Sequence, residues 1–296
     1  MTITLSKMTP TTPDPKTYPS IVADMHIHST ASDGEYSPTQ IAEMLHKNKI
    51  EAGALADHDS FAGFNEFKET FKGVAIPGVE LSVQYNDVGL HLLSYGFDPE
   101  YKPFIERLEY FQKIRYQRIE SMCDRLSELG KPLTIEEVKK NYSSNTTLGR
   151  PHIARALIAK GYIKSFNEAF HKYIGDGKPA YVPKARLDFE EALELIKASG
   201  GISILAHPGL FLKELSFDVM KMIPVNGFEA YHPHHSSSFS RILVDHCLKH
   251  DLPYTGGSDF HDLRHNKTNV IGKWGLSRNE WLYVKTYLNN NCSYQI

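Results

Sequence analysis

Short apolar runs alternate along this chain with longer stretches in which apolar positions recur every three or four residues. The first pattern predicts buried strands and the second amphipathic helices, and their alternation predicts β/α units around a mainly parallel sheet. "SIVADMH" reads as a strand, and residues 38–48 as a helix with Ser37 at its N-cap and proline in its first position. "EAGALADHD" reads as a second strand and "FAGFNEFKETF" as a second helix. "GVAIPGVELSVQY" and "GLHLLSYGF" then read as neighbouring strands joined across the turn-rich "NDVG".

Between about residues 100 and 180 the strand signal all but disappears. "FIERLEYFQKIRYQRIESMCDRLSELG" has the period of a long amphipathic helix closed by Gly130, and "TIEEVKKN", "RPHIARALIAKG" and "SFNEAFHKYIG" predict shorter helices. Alternation then resumes with "FEEALELIKASG" (helix), "GISILAHP" (strand), a helix near 214–223, "VNGFEAYH" (strand), "SFSRILVDHCLKHD" (helix) and "PYTGGSDFH" (strand). The expectation is an α/β protein of about seven strands, in which 21–99 and 181–296 form the β/α domain and 100–180 a helical insertion. Residues 1–20, rich in proline and threonine, lack the basic-then-apolar order of a secretory signal and are expected to be an extended arm.

Composition narrows the function classes. With 33 Lys and Arg against 35 Asp and Glu, a net charge of −2 argues against a broad grip on duplex DNA and leaves room only for a local basic pocket. No apolar run approaches the roughly 20 residues needed to cross a bilayer, so no membrane association is expected. Cys123, Cys247 and Cys292 are far apart and form no CxxC pair, which argues against a thiolate zinc site or a disulfide framework and favours a reducing, cytoplasmic setting.

Candidate chemistry gathers at the ends of the predicted strands. In "ADMHIHSTASDG", His26 and His28 lie two positions apart on a strand, so both imidazoles face the same side, with Asp33 shortly after them. A lone His-x-His is more often a packed pair than a chelate, and Asp33 before Gly34 has a plain reading as a turn residue. Similar groups recur, however: His58 in "ALADHDS", Glu80 in the apolar "PGVELS", His91 in "GLHLLSYG", His207 in "ILAHPG", and Asp259 and His261 in "TGGSDFH". The carboxyl ends of strands in an α/β barrel converge on one face, where such groups meet. A buried carboxylate such as Glu80 must be paired, protonated or metal-bound. Six histidines, two aspartates and one glutamate without a thiolate suit two or three divalent ions such as Mn, Zn or Fe at a hydrolytic site.

At these motifs, in this order, the chain resembles the polymerase and histidinol phosphatase (PHP) family of metal-dependent phosphoesterases over about residues 21–265. The resemblance implies a distorted (β/α)7 TIM-like barrel with the helical insertion as a lid. It also implies one ion held by His26, His28, Glu80 and Asp259, a second by Glu80, His91 and His207, and a third by Asp33, His58 and His261, with Mn the favoured metal. Glu80, His207, Asp259 and His261 are the residues expected to carry catalysis, in which a metal-bridging hydroxide attacks phosphorus. "LGRPHIARAL" and "YIGDGKPAYVP" in the insertion are similar to the bacterial branch of nucleoside 3′,5′-bisphosphate phosphatases and 5′-to-3′ exoribonucleases. That branch implies a nucleotide or short single-stranded RNA as substrate.

Arg150, a planar fork, and Lys178, a compact charge, are the cations expected to hold a substrate phosphate. His152, Tyr181, Arg264 and His265 are weaker candidates for the cleft wall, and His234 and His235 read as a solvated loop. A histidinol-phosphate-type or other small phosphomonoester phosphatase is the alternative within enzymes. A non-catalytic, metal-stabilised module of a larger assembly is the alternative outside them.

Overall fold

The computed structural model describes residues 20–144, 146–263 and 270–296. Most of the proline-rich arm, with Arg264 and His265, lies outside the described residues. β1 (Ile21–Ile27) is buried on both faces from Val22 onward, as its near-continuous apolar run requires. It leads to α1 (Pro38–Lys47), which starts where Ser37 accepts a hydrogen bond from the amide of Gln40 and the Gln40 side chain returns one from the Ser37 amide. Ile41, Ala42 and Leu45 form the buried stripe of α1. Next come β2 (Ala52–Leu55), α2 (Phe64–Thr70), β3 (Val74–Ala75), β4 (Gly78–Tyr85) and β5 (Val88–Tyr95). "GVAIPGVELSVQY" is therefore two strands: Pro77 brings no N–H to a ladder, and the chain changes sheets there.

The middle of the chain is helical: α3 (Lys102–Glu128), α4 (Ile135–Lys139), α5 (Arg150–Ala159) and α6 (Phe166–Ala169), which runs into a π turn at Phe170–Ile174. α3 packs at two levels. Phe104, Leu108 and Phe111 enter the main core under the sheets, whereas Ile119, Met122, Cys123 and Leu126 enter a second core whose buried members all lie between 119 and 180.

The last third holds β6 (Leu187–Asp188), α7 (Phe189–Ala198), β7 (Ile202–Leu205), a 3₁₀ turn at Pro208–Phe211, α8 (Phe217–Met220), β8 (Gly227–Tyr231), α9 (Ser237–Lys249), β9 (Tyr254–Gly256), β10 (Leu276–Ser277) and α10 (Arg278–Asn291). The helix expected near 214–223 is a single turn; Ser216 caps its start, and Pro224 disfavours helical backbone at Ile223.

The described strands form two sheets, ordered β10-β1-β2-β3 and β6-β4-β5-β7-β8-β9. Parallel pairs dominate the first, and the β4-β5-β7 run is antiparallel. The two sheets are stitched to each other at both seams by isolated parallel bridges, Ile27 to Phe260 and His58 to Glu80. Both seams carry residues of the mouth described next.

Candidate metal centre

β1 delivers His26 and His28 to one side of its C-terminal end, and both imidazoles are fully buried. Gly257 allows this approach: a Cβ there would lie 2.4 Å from the amide nitrogen and Cβ of His26. Glu80, from β4, is 1% exposed and lies among five imidazoles. Its Oε1 is 2.8 Å from His91 Nδ1 and 2.9 Å from His207 Nε2; its Oε2 is 2.9 Å from His58 Nδ1, 3.4 Å from His28 Nε2 and 3.5 Å from His26 Nε2. Asp259 Oδ1 lies 3.1 Å from His28 Nε2 and 3.5 Å from His26 Nε2. Asp33 Oδ1 lies 3.4 Å from His261 Nε2 and 4.0 Å from His28 Nδ1.

All nine residues singled out as metal ligands thus gather at one mouth. Their grouping differs in detail from the three sets implied by the family. Ligand atoms close enough to share one ion fall into three groups: His28, Asp33, His58 and His261; His26, His28 and Asp259; and His58, Glu80 and His91. His28 and His58 each join two groups, and His207 sits beside the third through Glu80 and His91, 3.3 Å from the latter.

The chemistry of this donor set fits divalent ions. His26 Nε2, both ring nitrogens of His28, His58 Nδ1, Asp33 Oδ1 and Glu80 Oε2 are buried without a hydrogen-bond partner, and they face one another. Buried polar atoms in a folded protein are otherwise satisfied. Burial, with His261 and His58 beside it, holds His28 down to about 3, and burial holds His91 down to about 4, so both rings are neutral with lone pairs to offer. Burial pushes Glu80 and Asp33 upward, but the surrounding imidazoles outweigh it and keep both carboxyls ionised, well below their ordinary range. Backbone strain is concentrated here too: among the described residues six non-glycines have positive φ, and Asp59 (+49°), His207 (+29°) and Asp259 (+48°) are three of them.

A layer of polar contacts fixes the loops that carry these groups. Asp57 accepts from the Ser29 amide and from the hydroxyls of Ser29 and Ser32, tying down the segment that leads to Asp33. The insertion reaches the same segment: Thr147 N–H donates to Ala31 O, Thr146 Oγ1 to Thr30 O, and Arg155 to Asp33 O at 2.8 Å. Arg115, on α3, pairs with Asp59 beside His58 and donates to Ser82 Oγ.

Of the two cations expected to hold phosphate, Arg150 pairs with Asp176 and stacks on Phe170 and Tyr181, while Lys178 is exposed. Lys184, which the sequence reading passed over, is half-buried within electrostatic reach of Asp33, Asp59 and Glu80; burial and then Arg115 bring it down to about 7. His152 is buried and accepts the Gly149 amide on Nδ1. His234 is exposed as expected, but His235 is not a solvated residue: it is buried, held by Ala230 O and the Gly209 amide.

An α/β fold with a dense His, Asp and Glu centre at one mouth is the architecture of a metal-dependent hydrolase. The model of the PHP domain matches residues 24–223. The chain belongs to the PHP domain family. A 5′-3′ exoribonuclease of Haemophilus influenzae is 32% identical over 247 residues, covering 80% of this chain and 89% of that protein. A 3′,5′-nucleoside bisphosphate phosphatase of Chromobacterium violaceum is 29% identical over 247 residues, covering 80% and 86%. Among solved structures, a protein assigned as a metal-dependent phosphoesterase from Bifidobacterium adolescentis superposes with a TM-score of 0.81 at 27% identity, over 89% of this chain and 95% of that one. An amidohydrolase from Chromobacterium violaceum, solved with bound sulfate and no metal, gives 0.76 at 26% identity, over 90% and 96%. No described helix is long and apolar enough to cross a membrane.

Proposed function

We propose that this chain removes the 3′-phosphate of nucleoside 3′,5′-bisphosphates, or trims short RNA from its 5′ end, using two or three divalent ions with Mn preferred. The observation that carries the metal part is Glu80, one buried carboxylate whose two oxygens serve two sides of a ring of five histidines. The relatives named for these two activities support the substrate part.

His26, His28, Asp33, His58, Glu80, His91, His207, Asp259 and His261 would hold the ions. Bound there, divalent ions supply an activated water and neutralise charge on the phosphoryl group. The chain's own cations do the rest. Lys184, within electrostatic reach of Asp33, Asp59 and Glu80, would attract the reacting phosphate as a point charge, and Arg150 and Lys178 would take the second phosphate at the edge of the insertion. Arg150 must then exchange Asp176 for phosphate, a swap between two anions for the same fork.

The test is a panel with Mn²⁺: adenosine 3′,5′-bisphosphate, a short 5′-phosphorylated oligoribonucleotide and histidinol phosphate. Turnover of either of the first two is expected. Turnover of histidinol phosphate alone, or of nothing by metal-loaded protein, refutes the reading. Glu80→Gln should abolish turnover and deplete bound metal, since a neutral amide is a far weaker ligand and cannot balance the charge of the ions. Full activity in that variant rules out the bridge.

A further inference from the structure

β8 contributes none of the nine candidate ligands, yet two of them lean on it and a third leans on the residue just past it. Glu229, fully buried at its centre, divides its carboxylate between two donors. Oε1 lies 2.9 Å from His26 Nδ1, and Oε2 accepts the backbone N–H of His207 at 2.7 Å. Just past the strand, His232 Nδ1 accepts the His234 amide at 3.2 Å, so its Nε2 carries the proton and points at Asp259 Oδ2, 3.3 Å away. His235 Nε2 accepts the Gly209 amide, so its Nδ1 donates to Ala230 O and pins the turn that follows His207.

We infer that Glu229 is a positioning residue for the metal centre, fixing the tautomer of His26 and the backbone of His207 with one carboxylate. This rests on the metal-centre reading above. A carboxylate accepts only, so a His26 that holds an ion through Nε2 would carry its one proton on Nδ1, toward Glu229. The Nε2 lone pair is then left facing Glu80 Oε2 and Asp259 Oδ1, each 3.5 Å away. The same carboxylate holds the amide of a residue at φ +29°, a backbone that a side chain bearing a Cβ resists. Ligating histidines are commonly oriented in this way through their second nitrogen, and loss of the orienting group costs about 10–100-fold in metal affinity.

Glu229→Gln separates this role from mere filling of space. Glutamine has the same volume but one acceptor and one donor, whereas both neighbours of Glu229 donate. The amide NH₂ must therefore oppose either His26 or His207. Titration of chelator-treated protein with Mn²⁺ is expected to show a Kd raised about 10–100-fold for at least one ion, while the metal-free variant keeps wild-type circular dichroism. A Kd within threefold of wild type overturns the inference. In case the variant fails to fold, ¹⁵N spectra of histidine-labelled wild-type protein with Zn²⁺ read the tautomer directly. Protonation of His26 on Nδ1 is expected, and protonation on Nε2 overturns the inference. If wild-type protein takes up neither Mn²⁺ nor Zn²⁺, the metal-centre reading falls and this one with it; unchanged uptake by the variant removes this one alone.

Discussion

His152 shows how far a single ring in this protein departs from its behaviour in water. Burial brings it down to about 4, so it stays neutral in the fold, whereas an unfolded chain protonates it near the ordinary value of 6.5. Because the folded value is the lower one, its contribution is complete above about pH 6.5 and is lost as pH falls toward 4. That interval corresponds to about 3 kcal/mol. Glutamine at 152 can still accept the Gly149 amide, so denaturant unfolding at pH 7 and pH 4.5 should show wild type losing about 2–3 kcal/mol more than His152→Gln. A difference below about 1 kcal/mol would mean the ring is protonated inside the fold. The nine candidate ligands were legible because strand alternation and recurrence at strand ends leave a local trace. Glu229 left the same trace as Glu80, a carboxylate in an apolar strand, and was equally legible in "GFEAY". Lys184 and His232 were not legible, since their importance comes from what tertiary folding sets against them.

At the scale of elements, α3 ties the insertion to the β/α domain through Arg115 and Asp59, both almost wholly buried. Removing one partner of such a pair strands the other charge, so Arg115→Ala is expected to cost about 3–5 kcal/mol in denaturant unfolding. Adding Asp59→Asn should recover a large part of that cost, because the orphaned charge goes with it. Equal stability of the single and double variants would show that water already reaches Asp59. With Arg155, Thr146 and Thr147 fastened to the loop that carries Asp33, the insertion is anchored at two places beside the centre. The longer helices and main strands were readable from periodicity. β6 and β10, two residues each, were not, because so short a pairing is decided by the neighbour that arrives and not by local pattern.

Across the whole molecule, the centre gathers ionised carboxylates and imidazoles where water is scarce, and divalent ions are what such a donor set binds. Metal present at about 100 times its Kd stabilises a fold by about 2.7 kcal/mol per site, if the unfolded chain does not bind it. For a chain of this size the corresponding rise in Tm is about 4 °C per site. Thermal melts with Mn²⁺ and with chelator should differ by at least that amount, and coincident melts would argue that the centre forms no ion site. The β/α alternation is displayed by the sequence, but the split into two sheets and the seams between them are not, since those join residues far apart in the chain, as at Ile27 to Phe260.

One of these joins bears on how the protein comes into being. β1, the strand of His26 and His28, has β2 on one edge, but its other edge is covered by β10 and by the stretch around Asp259, whose amide donates to His26 O. Roughly 250 residues separate Ala23 from its partner Leu276, and translation at about 5–20 residues per second takes roughly 10–50 s to cross that span. Through that interval a nascent chain exposes an unpaired apolar edge bearing two imidazoles. The pocket for the ions is finished only when nearly all of the polypeptide has left the ribosome.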